Sequence, residues 1–264
     1  MKLTLGFKPS PADKRDQVAS LKRLDKLPIL VDLKPDVFEV EDQGQFSSCT
    51  ANSSCSALEM LYKHNKTPYD LSRMYLYYFT RQLGKIKGDN GAYLRDVGKA
   101  LTKYGVCQEA SWAYVKEHLD TPPSIKAVAE GDKFKILSYQ RLMGISLYEI
   151  RNSIAQGVPV LLAMPVHEGM YGLKGDWKTH SWNYSGANLG WHAVLCIGYD
   201  DESKHLLIEN SWGAGWGDGG FFGLPYDMVT KGVTCDYWIL NPNLNINVKK
   251  KKSVINKIID ALTK

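Results

Sequence analysis

Partway along the chain, the spacing of apolar residues changes period, and this limits the folds available more than any other feature. From Cys49 to Asn65 apolar positions recur at helical intervals, with Ala51, Cys55, Leu58 and Leu61/Tyr62 on one face. Further helices are expected over Ser72–Gln82, over Tyr93–Tyr104 with Gly105 as its stop, and over Ile145–Ala155. Beyond Gly157 the apolar runs become short and are fenced by Gly, Pro and Asp. Val158–Val166, His192–Gly198, His205–Asn210, Gly219–Leu224 and Cys235–Leu240 read as strands. Helices first and strands later predict an α+β chain with two lobes. The expected divisions are an N-terminal arm at 1–40, a mainly helical lobe at 41–130, a mainly β lobe at 131–244 and a basic amphipathic tail at 245–264.

Residues 1–40 are polar and punctuated by Pro9, Pro11, Pro28 and Pro35. An extended arm is expected there, with one short helix near Ala12–Leu24. No apolar run approaches the ~18 residues that a membrane-spanning helix needs, and residues 1–20 lack the apolar segment of a secretory signal. The formal charge of +5 is concentrated in a tail carrying Lys249–Lys252, Lys257 and Lys264. Nucleic-acid binding is therefore disfavoured. In the tail Val254, Ile255, Ile258, Ile259 and Leu262 fall at helical spacing, which fits packing on the protein itself or contact with an acidic partner or membrane surface. Five cysteines are an odd number and too few for a disulfide scaffold. An intracellular or virion-type compartment is expected on that ground.

One of those thiols stands apart. Cys49 opens the first long helix after the polar turn Asp42–Ser48, where Ser47 and Ser48 offer capping side chains. A thiol at a helix N-terminus meets the positive end of the backbone dipole, which favours thiolate. Cys55, inside the same helix, reads as an ordinary buried cysteine. A sulfur nucleophile needs an oriented base. His192 stands at the mouth of an apolar strand in Gly190-Trp-His-Ala-Val, and Asn210 opens the glycine-dense turn Asn210-Ser-Trp-Gly-Ala-Gly-Trp-Gly. Taken singly, each has an ordinary structural explanation: a core cysteine, a satisfied histidine, a tight hairpin. As an ordered set they do not.

Together, Gln43-Gly44 through Ser48-Cys49, then Gly190-Trp-His192-Ala-Val, then Asn210-Ser-Trp-Gly-x-Gly-Trp-Gly resemble the three signature blocks of the papain family of cysteine peptidases, in the family's order. His192 and Asn210 follow Cys49 by 143 and 161 residues, against about 130–150 in that family. The resemblance covers residues 28 to 241 or so. It implies a two-lobed fold with a helical lobe, a β-barrel-like lobe and the active-site cleft between them. Cys49 would be the nucleophile beside His192, Asn210 the group that orients His192, and Gln43 the side-chain donor to the oxyanion. It further implies that Trp212 lies over the Asn–His pair and that Asp89-Asn90-Gly91-Ala92 forms an edge for the substrate backbone. Trp191, Ala163 and Ala193 would line the substrate pocket. A peptide or protein substrate, no metal, no organic cofactor and a monomer are expected.

Phe46 and Thr50 stand where the family usually has a cysteine and an aromatic residue, a departure that points to microbial and viral branches rather than lysosomal ones. A helical prosegment of the family's usual length is not expected, with only 42 residues ahead of Gln43. Residues 1 to about 26 are expected to form a short arm that covers the cleft and delays activity. Two other functions fit the same fold: an acyl transferase or ligase using the same residues, and a catalytically silent binding protein.

Overall fold

A computed structural model of the chain describes residues 5–64, 68–142, 146–179 and 185–242. The basic tail expected at 245–264 lies outside them. In chain order the strands and helices are β1 (Phe7–Lys8), β2 (Leu30–Asp32), α1 (Cys49–His64), α2 (Arg73–Gly84), β3 (Ala92–Tyr93), α3 (Leu94–Lys103), α4 (Ile125–Gly131), β4 (Ile136–Arg141), α5 (Leu147–Ala155), β5 (Val160–His167), β6 (Asn188–Asp200), β7 (His205–Glu209), β8 (Phe221–Pro225), α6 (Tyr226–Thr230) and β9 (Cys235–Pro242). No described helix is long and apolar enough to cross a membrane.

The larger sheet runs β4-β9-β5-β6-β7-β8, with β2 added on β6, and its pairings are antiparallel. Both faces are covered, which is why β5 reads as an unbroken apolar run rather than an alternating one. Its alternate side chains go to different cores. Leu161 and Ala163 join a core shared with α1, α2 and α3, while Val160, Leu162, Met164 and Val166 join a second core with α5 and α6. Strand β6 divides in the same way: Ala193, Leu195 and Ile197 on the helical side, Val194 and Cys196 on the other. Gly198 is needed where β2 crosses, because a Cβ there would sit 2.5 Å from the Val31 carbonyl oxygen.

Buried surface surrounds α1 on all sides rather than along one stripe. It lies between the sheet and α2, so small polar residues fill its close contacts. Ser53 Oγ donates to the Cys49 carbonyl at 2.9 Å, and Ser56 Oγ contacts the Glu209 carboxylate at 2.8 Å. Helix α2 starts where Ser72 Oγ accepts the Tyr75 N–H, and α3 stops ahead of Gly105, whose φ of +68° suits a residue without a Cβ.

The arm departs from expectation in one respect: 12–24 is not helical. Residues 13–16 make a turn, with Asp16 N–H donating to the Asp13 carbonyl at 3.1 Å, and the next residues pair with β4: Ala19 N–H donates to the Arg141 carbonyl at 2.9 Å and Arg141 N–H to the Gln17 carbonyl at 2.7 Å. β1 lies parallel to β3, pairing Phe7 with Ala92 and Lys8 with Tyr93.

Candidate active site

Every bond around Cys49 serves to fix the turn that leads into α1. Gln43 N–H donates to the Ser211 carbonyl at 2.9 Å, and Gly44 turns the chain at φ +56°. Ser47 N–H donates to the Asp89 carboxylate at 2.9 Å, which also accepts the Tyr77 hydroxyl at 2.7 Å. The Ser48 carbonyl accepts the first helical N–H groups, from Ala51 and Asn52. Its hydroxyl does not cap the helix; it is held by Tyr114 and by Asn52 Nδ2. Cys49 is thereby delivered as the first helical residue, fully buried, with its sulfur facing backbone N–H groups of Ala193, Gly6, Thr50 and Cys49 itself.

Burial nonetheless outweighs those donors and pushes the Cys49 thiol up to about 11. The thiolate expected from the helix end is not favoured in this covered conformation, because removing charge from water costs more than one helix terminus returns. His192, on β6, is buried as completely, and burial draws its imidazole down to about 4 against the opposing effect of its bond to Asn210. In this covered conformation burial disfavours the charged form of both groups.

Asn210 fixes which histidine nitrogen carries the proton. Asn210 Oδ1 accepts the Ser211 N–H at 2.8 Å and lies 2.8 Å from His192 Nε2. An oxygen with no hydrogen of its own requires Nε2 to be the donor, so the basic lone pair is on Nδ1. Nδ1 is buried and, among the described residues, has no hydrogen-bond partner. Cys49 does not complete that bond here; its sulfur takes the N–H of Ala193, the next residue in the chain. The Trp212 ring stacks on the imidazole, centroids 4.9 Å apart at 26°, and Trp216 meets Trp212 edge-on. Gln43 is pinned at both ends of its amide, Oε1 accepting Ser211 Oγ at 2.6 Å and Nε2 donating to the Phe46 carbonyl at 2.8 Å.

The residues assigned to the substrate edge separate. Ala92 and Gly91 line a groove that already holds a strand: Ala92 N–H donates to the Gly6 carbonyl at 2.7 Å. Asn90 is exposed and its amide turns back to the Lys87 carbonyl at 2.7 Å, away from that strand. Trp191 lies against Phe7, with ring centroids 6.3 Å apart. Ala163 and Ala193 face each other across β5 and β6 and are buried in the core that includes Cys49. The sequence reading missed Ser211, Tyr114, Asp89 and Tyr77 as supports of the turn, and Gly6 as the nearest arm residue. Of these, Ser211 and Asp89 lay inside recognisable motifs, Asp89 read as part of the substrate edge and not as a support of the turn. No group of three His, Cys, Asp or Glu suited to a metal ion occurs among the described residues, and all five cysteines are free thiols.

Residues 27–237 match the model of the papain family of cysteine proteases. An uncharacterized peptidase C1-like protein of Acanthamoeba polyphaga mimivirus is 30% identical over 253 residues, covering 90% of this chain and 78% of its own length. Cysteine proteinase 1 of Entamoeba histolytica is 31% identical over 212 residues; the match takes in 76% of this chain but 63% of that protein, less than two thirds of its length. The crystal structure of xylellain, a cysteine protease from Xylella fastidiosa, superposes with a TM-score of 0.82 at 30% identity, covering 90% of this chain and 95% of the other. With its α+β two-lobed architecture and its microbial and viral relatives, the chain belongs to the papain family and is a cysteine peptidase.

Proposed function

We propose that the chain hydrolyses peptide bonds through a thioester on Cys49, with His192 as proton shuttle, Asn210 as its orienting partner and Gln43 as oxyanion donor. The observation that carries this reading is the arrangement at His192. Asn210 holds Nε2–H at 2.8 Å and leaves a buried, unpartnered Nδ1 beside the strand residue whose N–H touches the Cys49 sulfur.

With the groove free, a substrate backbone adds to the Ala92–Tyr93 edge as an extra strand. The Cys49 S–H proton passes to His192 Nδ1 as sulfur attacks the carbonyl carbon. The oxygen that gains the negative charge is met by the Gln43 amide and the Cys49 N–H, where one donor is worth about 3–4 kcal/mol in the transition state. Protonated Nδ1 then gives its proton to the leaving amine, and the C–N bond breaks to leave the thioester. Water, relieved of a proton by Nδ1, attacks the thioester and releases the acid and the restored thiol. Trp212 keeps solvent from the His192–Asn210 bond throughout.

The test is cleavage of a peptide library by the whole chain, by Cys49→Ala and by Gln43→Ala, with epoxide labelling of Cys49. Loss of cleavage and labelling in Cys49→Ala, and a kcat lower by about 10²–10³ in Gln43→Ala, are expected. Undiminished cleavage by Cys49→Ala would overturn the assignment. Transfer of the acyl group to an added amine in preference to water would move the function to a transferase.

A further inference from the structure

Cys49 and Ser56 stand seven residues apart on α1, two turns along one face, and that face meets the sheet at both points. The Cys49 sulfur takes the Ala193 N–H on β6, and Ser56 Oγ lies 2.8 Å from both oxygens of the Glu209 carboxyl on β7. Leu195 and Glu209 are partners across β6 and β7, so the two contacts fall on neighbouring positions of one sheet. Between them helix and sheet do not close completely. A cavity of about 10 Å³ remains, lined from α1 by Asn52 and Ser56 and from the sheet by Glu209 and Asn210. Interiors are ordinarily filled by apolar side chains at close-packed density. Here a buried acid stands beside the cavity instead, a residue type seldom buried without strong partners.

The lining has the chemistry to hold one water molecule. The volume is about that of a single water, which needs roughly two to four polar partners. Glu209 offers an acceptor, because a carboxyl keeps an oxygen lone pair whether or not it carries a proton. Asn210 offers a donor. Its Oδ1 is committed to His192 Nε2 and the Ser211 N–H, while its Nδ2 is buried and, among the described residues, has no hydrogen-bond partner. A buried amide is rarely left in that condition. The unpartnered end also matters to the partnered one. Half a turn of the amide would set Nδ2 opposite His192 and destroy the bond on which the tautomer depends, since two donors would then face each other. An acceptor for Nδ2 opposes that turn.

We propose that Glu209 is a positioning residue for the peptidase reaction: anchored to the nucleophile's helix by Ser56, it holds a water in this cavity that takes the Asn210 Nδ2–H and keeps Oδ1 turned to His192. The proposal rests on the roles given above to Cys49, His192 and Asn210. Sulfur and imidazole are then both set from α1, the first directly and the second through Ser56, Glu209 and Asn210. The alternative is a polar pair that only ties the helix to the sheet.

Two substitutions separate these. Glu209→Leu removes the acceptor at similar volume, whereas Glu209→Gln keeps a carbonyl oxygen in its place. Glu209→Leu should lower kcat by about tenfold, the worth of one hydrogen bond, with KM changed by less than about twofold; Glu209→Gln should stay near the wild type in both. The Nε2 proton of His192, followed by NMR in the isotope-labelled whole chain, gives a readout that needs no activity. It should exchange with solvent about tenfold faster in Glu209→Leu than in wild type or Glu209→Gln. An unchanged exchange rate in folded Glu209→Leu would overturn the proposal whatever its kcat, and leave Glu209 a structural tie. A crystal structure of the wild-type chain tests the same point without any variant. An ordered water within hydrogen-bond distance of both Asn210 Nδ2 and the Glu209 carboxyl is expected; a dry cavity, or a protein acceptor on Nδ2, would overturn the proposal. Faster exchange in Glu209→Leu with no peptide cleavage by any form would keep the link to Asn210 and sink the peptidase reading alone.

Discussion

Asn210 uses one oxygen to receive two donors, the Ser211 backbone and His192 Nε2. Truncation at that position thus strands two buried N–H groups and frees the imidazole to rotate. Asn210→Ala should lower kcat by roughly 10- to 100-fold, the equivalent of one or two buried hydrogen bonds, with KM changed far less; steady-state kinetics on one peptide reads both. The roles proposed for Cys49, His192, Asn210 and Gln43 were legible in the sequence because short runs of glycine and tryptophan surround them. The residues that hold them were not. Tyr114 reaches the Cys49 turn from 65 residues away and Tyr77 supports it through Asp89, and nothing local in their sequence announces a contact set by tertiary packing. The Asn90 amide closes the turn with Lys87, a contact that its place beside Gly91 and Ala92 did not announce.

At the scale of elements, one buried charge pair joins α1 to the start of α2. Arg73 meets Glu59 with two bonds of 2.8 Å, Leu71 N–H adds a third donor to Glu59 at 2.7 Å, and Glu41 approaches Arg73 at 3.0 Å. Removing one partner leaves the other charged and out of water, a loss of about 3–5 kcal/mol. Arg73→Met should therefore lower the melting temperature sharply, and the double variant Glu59→Gln, Arg73→Met should recover part of the loss in the same thermal scan. Long helices and the strands β5–β9 could be anticipated from their period. β1, β2 and β3 could not: strands of two or three residues carry no period, and they exist because the arm is long enough to reach the sheet and the groove. The helix expected at 12–24 failed for the same reason, since its backbone found partners on Arg141.

Across the whole molecule, burial sets a dependence on pH. Glu209 lies under Ser56 in the interior, and burial raises its carboxyl to about 8. A carboxyl raised in the folded state keeps its proton there while the unfolded chain has already lost it. Stability from this group is complete below the ordinary carboxylate range and falls as pH climbs from about 4.5 to about 8. Glu209→Gln should remove that slope, at most about 1.4 kcal/mol per pH unit, so its melting temperature should gain on the wild type between pH 5 and pH 8. His192 acts in the opposite sense: lowered to about 4, it costs stability as pH falls from 6.5 toward 4. Melting curves of both proteins across pH 4–8 separate the two contributions.

Strand β2 pins residues 30–32 to β6, and short tethers hold what they carry near a surface at millimolar effective concentration. The segment before residue 30 is therefore a near neighbour of this sheet at every protein concentration, and dilution alone does not remove it.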